Sequence, residues 1–480
     1  MAGIKKSLLK RWRSWILLNN SWTSRWWYSA VHITTVTVGT GVLGLPTVMA
    51  FFGWELGTIL IVGFMILSQM CYWQLIGLHE TQEGRRFDRY PELGQHLLGD
   101  SLGFWLIAPL QAIAQVGIDT VYVVAGANSL QHIYSLFHEC NALDCGAMKL
   151  TYWMLVFMAV QLLLSQLPHL QSITWVSFIA AVTAIGYCTL TWVSILINHP
   201  PSPSPSPPSP SSSSACFANV EHGYPQGSKA HITFGIFTSL GKLAFAMAAA
   251  HNVALELQAT IPSTRNRPSK RAMWRGMLIA YIVVAFCYLP VALVGYRFYG
   301  NETRDTCPGI DNVLLRLKSP KPMIVLTNLM LFIHLCGSYQ VLAMPIFSNF
   351  ETFLERKYEL ELSFMLRTIG RYSYVGKTLM MMNLFDEFFL PLSAVLTLML
   401  AAAFPFFGDL EAFFGGFALI PTTYVIPSVL WHLSRKPEPF SPPWIANLLC
   451  ISFGIAVMAT STIGGLRNLI MKRRELEFFQ

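Results

Sequence analysis

Charged side chains are scarce in this sequence. Asp, Glu, Lys and Arg together make up 12% of its 480 residues, about half of the share found in soluble domains. So low a share excludes a soluble enzyme with a modest core, and a chain that is 53% apolar and 13% aromatic is not a disordered one. Cysteine is thinly spread as well, nine residues in all, which excludes a small disulfide-built module. No His stands at ligand spacing from a Cys pair, so nothing points to a metal site or another cofactor. No nucleophile and base are paired in a way that suggests an enzyme. The net charge of +8 needs no nucleic acid to explain it, because a membrane protein gathers Lys and Arg in its cytoplasmic loops.

Long apolar runs are what the chain has in quantity. One crossing of the hydrocarbon layer takes about 20 apolar residues, and eleven segments fit: 26–51, 54–78, 104–136, 150–166, 172–198, 231–260, 275–299, 322–350, 388–404, 413–432 and 443–466. The expected fold class is therefore all-α integral membrane, with the lipid bilayer as its surroundings. With the N-terminus in the cytoplasm, the inner segments carry more Lys and Arg than the outer ones, although Arg467, Lys472, Arg473 and Arg474 run against this trend. The first apolar stretch follows Lys5, Lys6, Lys10, Arg11, Arg13 and Arg25 without small cleavage-site residues behind it, and reads as a retained span.

Two outer segments have marks of their own. The Pro/Ser tract at 200–214 cannot bury apolar area and reads as an extended, solvated linker. Asn301, in Asn301-Glu302-Thr303, is an N-glycosylation acceptor just outside the seventh span. Cys71, Cys188, Cys287, Cys336 and Cys450 fall inside spans and read as small buried apolar residues. Cys140, Cys145, Cys216 and Cys307 fall outside, where one disulfide fits an oxidising exterior with its pairing left open.

The first span is interrupted. It reads VHITTVTVGTGVLGLPTVMAFFGW, with Gly39, Gly41, Gly44 and Pro46 packed into its middle. Each Gly costs about 1 kcal/mol of helix propensity and an interior Pro about 3, so the helix is expected to unwind there. Unwound backbone inside a membrane is tolerated where protein or a water-filled cavity satisfies it. Amides at Gly39, Thr40 and Gly41 would then favour a carboxylate, and carbonyls near Thr37 and Val38 a cation. The alternative is a Gly-rich face for close helix packing. Five spans later comes the sixth, ITFGIFTSLGKLAFAMAAAHNVALELQATIP, small-residue-rich at Ala248–Ala250 but with no Gly or Pro at that point. Paired broken helices at corresponding places in two repeats mark transporter binding sites.

Strings such as VGTGVLGLP (38–46), GRRFDRYPELGQHLLG (84–99), AAHNVALELQATIPSTRNRPSKRAMWRG (249–276), HLCGSYQVLAMPIF (334–347) and FFGGFALIPTTYVIPSVLW (413–431) resemble plant members of the amino acid/auxin permease family, closest to its lysine/histidine-type amino acid transporters. The resemblance covers about residues 20–470. It implies a leucine-transporter-like inverted-repeat fold with eleven transmembrane helices, broken helices 1 and 6, a cytoplasmic N-terminus, and proton-driven uptake of amino acids. Amino acid and proton are then the small partners. The chain would divide into a cytoplasmic segment (1–25), a first five-helix repeat (26–198), an extracellular linker (199–230), a second repeat without its last helix (231–404), helices 10 and 11 (405–466) and a tail (467–480). The family pattern is left at four places: Lys242 replaces an acidic residue, Ala248–Ala250 replace an Ala-Gly, Gln115 stands for a Glu with Asp119 one turn on, and 373–395 is longer.

Candidate substrate-binding residues are Thr37, Gly39, Thr40, Gly41 and Gly44 in the first break; Phe245, Met247, Ala248, Ala250 and His251 in the sixth span; Tyr122 in the third; and Ser338 in the eighth, with Tyr339 beside it. Candidate proton-coupling residues are Asp119, an isolated carboxyl inside a span, and Glu256. Asp119 also reads as a hydrogen-bonded polar group bridging helices, and Glu256 as the salt-bridged inner end of the sixth span. His251 reads as a relay or a pocket wall, and His334 as a packing polar. Lys242 is either a fixed cation by the outer vestibule or, preferably, a side chain that snorkels to the interface. The basic run at Arg265, Arg267, Lys270 and Arg271 reads as a lipid or topology signal. The leading expectation is a plasma-membrane proton/amino acid symporter taking neutral and basic amino acids; an auxin influx carrier and a transporter-like amino acid sensor stay open beside it.

Overall fold

Apolar stretches that must satisfy every backbone group internally become helices in a membrane, and helices are what the computed structural model shows. It describes residues 26–80, 85–138, 149–165, 173–197, 222–223, 228–263, 268–303, 312–317, 319–358 and 396–474. Among these there is no strand, only an isolated bridge between Glu80 and Arg86. In chain order the helices are α1 Trp26–Thr37, α2 Leu45–Leu78, α3 Tyr90–Leu98, α4 Asp100–His138, α5 Leu150–Ser165, α6 Ile173–Ile197, α7 Lys229–Ala248, α8 Ala254–Ala259, α9 Ser269–Tyr299, α10 Lys321–Tyr358, α11 (396–403), α12 Phe407–Phe414, α13 Ile426–Arg435 and α14 Pro442–Arg474. Eight of the described stretches are long and apolar enough to cross a membrane, and Leu150–Leu164 is a shorter apolar helix.

The expected segments map closely onto these helices. The first span is α1, a 3-10 turn at Thr40–Gly44 and the start of α2. Gly53, at φ +74, turns the chain inside α2 and separates the first span from the second; a residue with a Cβ is strained there. The sixth span is α7, a 3-10 turn at Ala249–Val253 and the short α8. Two features differ from expectation. The loop 84–99 contains a helix, α3, whose Tyr90 hydroxyl donates to the Thr422 carbonyl at 2.9 Å. The tenth span begins at Phe407 rather than 413, and passes through two wide π turns, Gly415–Leu419 and Pro421–Val425, before α13. The Pro/Ser tract, Cys140, Cys145, Cys216, Cys307, Arg265, Arg267 and the segment 373–395 lie outside the described residues.

The breaks sit at the centre of the packing. Helix α9 lies on α1 and α2, α10 on α6 and α4, and α7 against α2, α12 and α14. Large apolar side chains left exposed, among them Ile59, Trp105, Leu163, Trp175, Ile282 and Leu449, face away from this core and give the apolar outer surface that hydrocarbon requires. The described cysteines are buried and free.

Candidate substrate site at two helix breaks

Hydrogen bonding ends cleanly where the glycines are. Val38 N–H still reaches the Thr34 carbonyl at 2.9 Å, and then Gly39 N–H folds back on the Thr37 carbonyl at 2.9 Å, with Gly39 extended at φ −107, ψ −157. The next residues open a 3-10 turn, whose first amides have no acceptor within it. Of the three donors expected from the sequence, Gly39 is thus engaged, and Thr40 and Gly41 head the turn.

Freed carbonyls at both breaks are taken up by side chains from other helices. Tyr288 of α9 places its hydroxyl 2.6 Å from the Thr37 carbonyl and 2.7 Å from the Ala246 carbonyl, sharing one proton between the two breaks. Tyr187 donates to the Gly39 carbonyl at 2.8 Å and Ser338 to that of Thr35 at 2.9 Å. On the sixth-span side, Ser68 donates to the Met247 carbonyl at 2.9 Å while accepting from Tyr281 at 2.7 Å. Thr423 donates to Ala248 at 3.3 Å, and Gln111 to Asn252 at 2.6 Å. The expected cation site at the Thr37 carbonyl is therefore already filled by a phenol and an amide. Each bond replaces one lost from the helix, and an unsatisfied backbone group in hydrocarbon costs several kcal/mol.

The candidate residues converge on this region. Gly41 packs on α7 so closely that a Cβ there would lie 2.6 Å from the Ala246 Cα. The Tyr122 hydroxyl lies against Gly39, and the position of a Cβ on Gly44 is 3.1 Å from Glu411 Oε2. Thr37, Phe245, Met247, Ala248 and Ala250 are all buried. Ser338 is buried too, bonded to α1 as described, with His334 Nε2 at 3.3 Å and His334 Nδ1 against the Ala180 carbonyl at 2.8 Å. His251 ties α2 to the break: Nε2 is 2.9 Å from the Ser68 carbonyl, Nδ1 3.3 Å from that of Ala248, and its ring stands edge-on to Tyr72. Asn301 sits half-buried in the Gly300–Thr303 turn after α9.

A polar line runs along one face of α4. Gln111, Gln115 and Asp119 follow each other at four-residue steps, all buried, and reach from the sixth-span break to the first over about 12 Å. Gln111 also bonds Glu256 Oε1 at 3.1 Å. Gln115 has no hydrogen-bond partner for either amide atom among the described residues, and Asp119 Oδ1 has none. Asp119 is close enough to Tyr122 and Tyr339 to act on both electrostatically.

Two residues were placed wrongly or passed over from sequence. Lys242 is 5% exposed, so it is enclosed by protein and does not snorkel to the interface; it follows Gly241, whose Cα face touches Ala412 of α12. Glu411 was missed because the tenth span was started at 413. It is fully buried and accepts a hydrogen bond from Thr40 Oγ1 at 3.2 Å. Its signal is a carboxyl inside the apolar stretch FPFFGDLEAFFGGF, two residues after Asp409. Asp409 has its own partners, Lys472 at 2.6 Å and Asn468 at 3.2 Å.

The model of the family described as transmembrane amino acid transporter protein matches residues 22–467. The chain belongs to this family. Lysine histidine transporter-like 1 of Arabidopsis thaliana is 41% identical over 97% of this chain and 92% of its own length. Lysine histidine transporter-like 6 of the same plant is 38% identical, over 99% and 98%. GABA transporter 1, also from Arabidopsis thaliana, is 25% identical over 95% and 92%. Among solved structures, the crystal structure of MhsT in complex with L-phenylalanine overlays with a TM-score of 0.49 at 12% identity, covering 91% of this chain and 98% of that one. The family is one of transporters, not enzymes, and the chain is a multi-pass membrane protein of that family.

Proposed function

We propose that the protein imports amino acids across the plasma membrane together with protons, with its N-terminus in the cytoplasm. The observation that supports this most directly is the meeting of the two breaks at Gly41 and Ala246. There, the amides of Thr40 and Gly41 suit a carboxylate and the buried carboxyl of Asp119 is close by. Coupling to a proton rather than a metal cation is favoured because the carbonyls of Thr35, Thr37, Gly39, Ala246, Met247 and Ala248 are already hydrogen-bonded. An ion such as sodium would have to displace those bonds. The relatives' names mention lysine, histidine and GABA; for this chain the cargo is neutral amino acids first, with basic ones accepted less well because Lys242 is buried by the outer half of α7. Asp119 and Glu256 are the coupling residues of this reading, and Asn301 the glycan acceptor.

Uptake of labelled alanine into cells making the protein tests it. Uptake should rise as outside pH falls from 7.5 to 5.5 (about a hundredfold more protons) and should be the same with sodium replaced by choline. Uptake indifferent to pH, or one that needs sodium, would reject the proton-coupled reading.

A further inference from the structure

We propose that Glu411 carries the co-transported proton, taking it up when a substrate carboxylate docks on the amides of Thr40 and Gly41. This rests on the proton-coupled reading above and names the group that performs it. Helix α12 is held against α7 by backbone contact between Gly241 and Ala412, and by Gly415 against Phe245 N at 3.1 Å from the position of a Cβ. That contact fixes Glu411, with no exposure to solvent, beside the first turn of the Thr40–Gly44 segment. Its Oε1 accepts the Thr40 hydroxyl at 3.2 Å, and Oε2 borders Gly44. Tyr122, whose phenol touches Gly39, is acted on electrostatically by both Glu411 and Asp119. Among the described carboxyls, Glu411 is the one hydrogen-bonded to this turn.

A second carboxylate arriving at the same turn meets Glu411 at close range. Two ionised carboxylates cannot share so dry a site, and one of them takes a proton. The charged groups around Glu411 point the same way. From α4 come Asp119 and the phenol of Tyr122, and α7 carries Lys242 one position beyond the Gly241–Ala412 contact. From its own helix comes Asp409, balanced by Lys472 of α14 at 2.6 Å, and the Thr40 turn adds no charge. A zwitterionic substrate brings its carboxylate to this turn, and protonating Glu411 removes the like-charge repulsion there. The proton leaves again when the substrate does, since the carboxylate that forced it on is gone.

The test uses purified full-length protein in two formats. In proteoliposomes with an inward proton gradient, the wild type should accumulate labelled alanine. Glu411→Gln should lose accumulation while still exchanging labelled for unlabelled alanine, because exchange needs binding and movement but no net proton. In lightly buffered detergent with a pH dye, alanine should draw about one proton per site into the wild type and none into Glu411→Gln. Gradient-driven accumulation or proton uptake by Glu411→Gln overturns the assignment, as does loss of proton uptake in Asp119→Asn alone. A wild type indifferent to the gradient rejects proton coupling itself, a separate failure. If Glu411→Gln does not fold, Glu411→Asp decides: the shortened carboxyl should keep the proton and move the pH midpoint of uptake, and an unmoved midpoint overturns the proposal.

Discussion

Single side chains decide what the two breaks can accept. A Cβ at Gly41 would meet the Ala246 backbone at 2.6 Å, and backbone cannot rotate away. Gly41→Val should therefore fail to reach the surface or lose thermal stability by several kcal/mol, as overpacking does. At Gly39 the obstacle is only the end of the Tyr122 side chain. Gly39→Ala should reach the surface and show weakened uptake, a contrast that surface labelling beside transport measures. Lys242 acts over a longer distance. A like charge buried near the pathway is poorly screened and penalises a cationic substrate more than a neutral one. Lysine should then compete for labelled leucine more weakly than alanine does, and Lys242→Asp should restore it. Equal competition by lysine and alanine would remove Lys242 from the pathway. That Lys242 is enclosed was not legible in the sequence: whether a long side chain snorkels depends on which helices pack around it, and those are distant in the chain.

At the scale of elements, the two breaks have different origins. The first was legible because Gly39, Gly41, Gly44 and Pro46 weaken the helix locally, whatever surrounds it. The second has no such residue. Its 3-10 turn at Ala249–Val253 is held from outside, by Ser68, Thr423, Gln111 and Tyr288 on four other segments, and those long-range bonds leave no trace in the local sequence. Spacing of five spans pointed to the place; only the fold shows what keeps it open. Glu411 was hidden for a similar reason, since its role follows from where α12 starts. Tyr288 is the element-scale test, because one hydroxyl serves the Thr37 and Ala246 carbonyls together. Tyr288→Phe leaves the Thr37 carbonyl only its Gly39 amide and takes the phenol from the Ala246 carbonyl, at a cost of about 1–3 kcal/mol. The variant should melt several degrees lower in detergent and recover part of the loss when alanine is present, because ligand bound at the breaks stabilises the folded state. A melting curve identical to the wild type would mean that another group takes the place of the phenol.

Across the whole molecule, the ends of the second and sixth spans are tied by the segment between α2 and α3. Arg86 Nη2 reaches the carbonyls of Gln258 and Ala259 at 3.4 Å and of Ile261 at 3.3 Å, where the dipole at the end of α8 favours a cation. Its Nε lies 3.8 Å from both Glu80 and Asp88, and Ser269 donates to Glu80 at 2.7 Å. The His79 ring, whose Nε2 lies 3.5 Å from Asp88 Oδ1, and the charge of Arg86 hold the Asp88 carboxyl below its usual range. A depressed carboxyl stabilises this tie above its unfolded value near 3.9 and loses that contribution only as pH falls through the still lower folded value. Between pH 5 and 8 Asp88 thus stays ionised, and Asp88→Asn should leave the pH profile of uptake unchanged in shape. Arg86 is different, since it holds the end of the sixth span beyond its break, which must move if that half-helix swings to release cargo. Its side chain is 30% exposed, so its bonds are worth about 1 kcal/mol rather than the 1.5–3 of buried charged ones. Arg86→Ala should therefore raise the population with this end open about fivefold, read as faster hydrogen exchange at amides 254–261 with exchange in α9 unchanged. Equal protection in wild type and variant would show that the three carbonyls are satisfied without Arg86, and that this end of the sixth span is held by Gln258 through Ile76 and Ser269 instead.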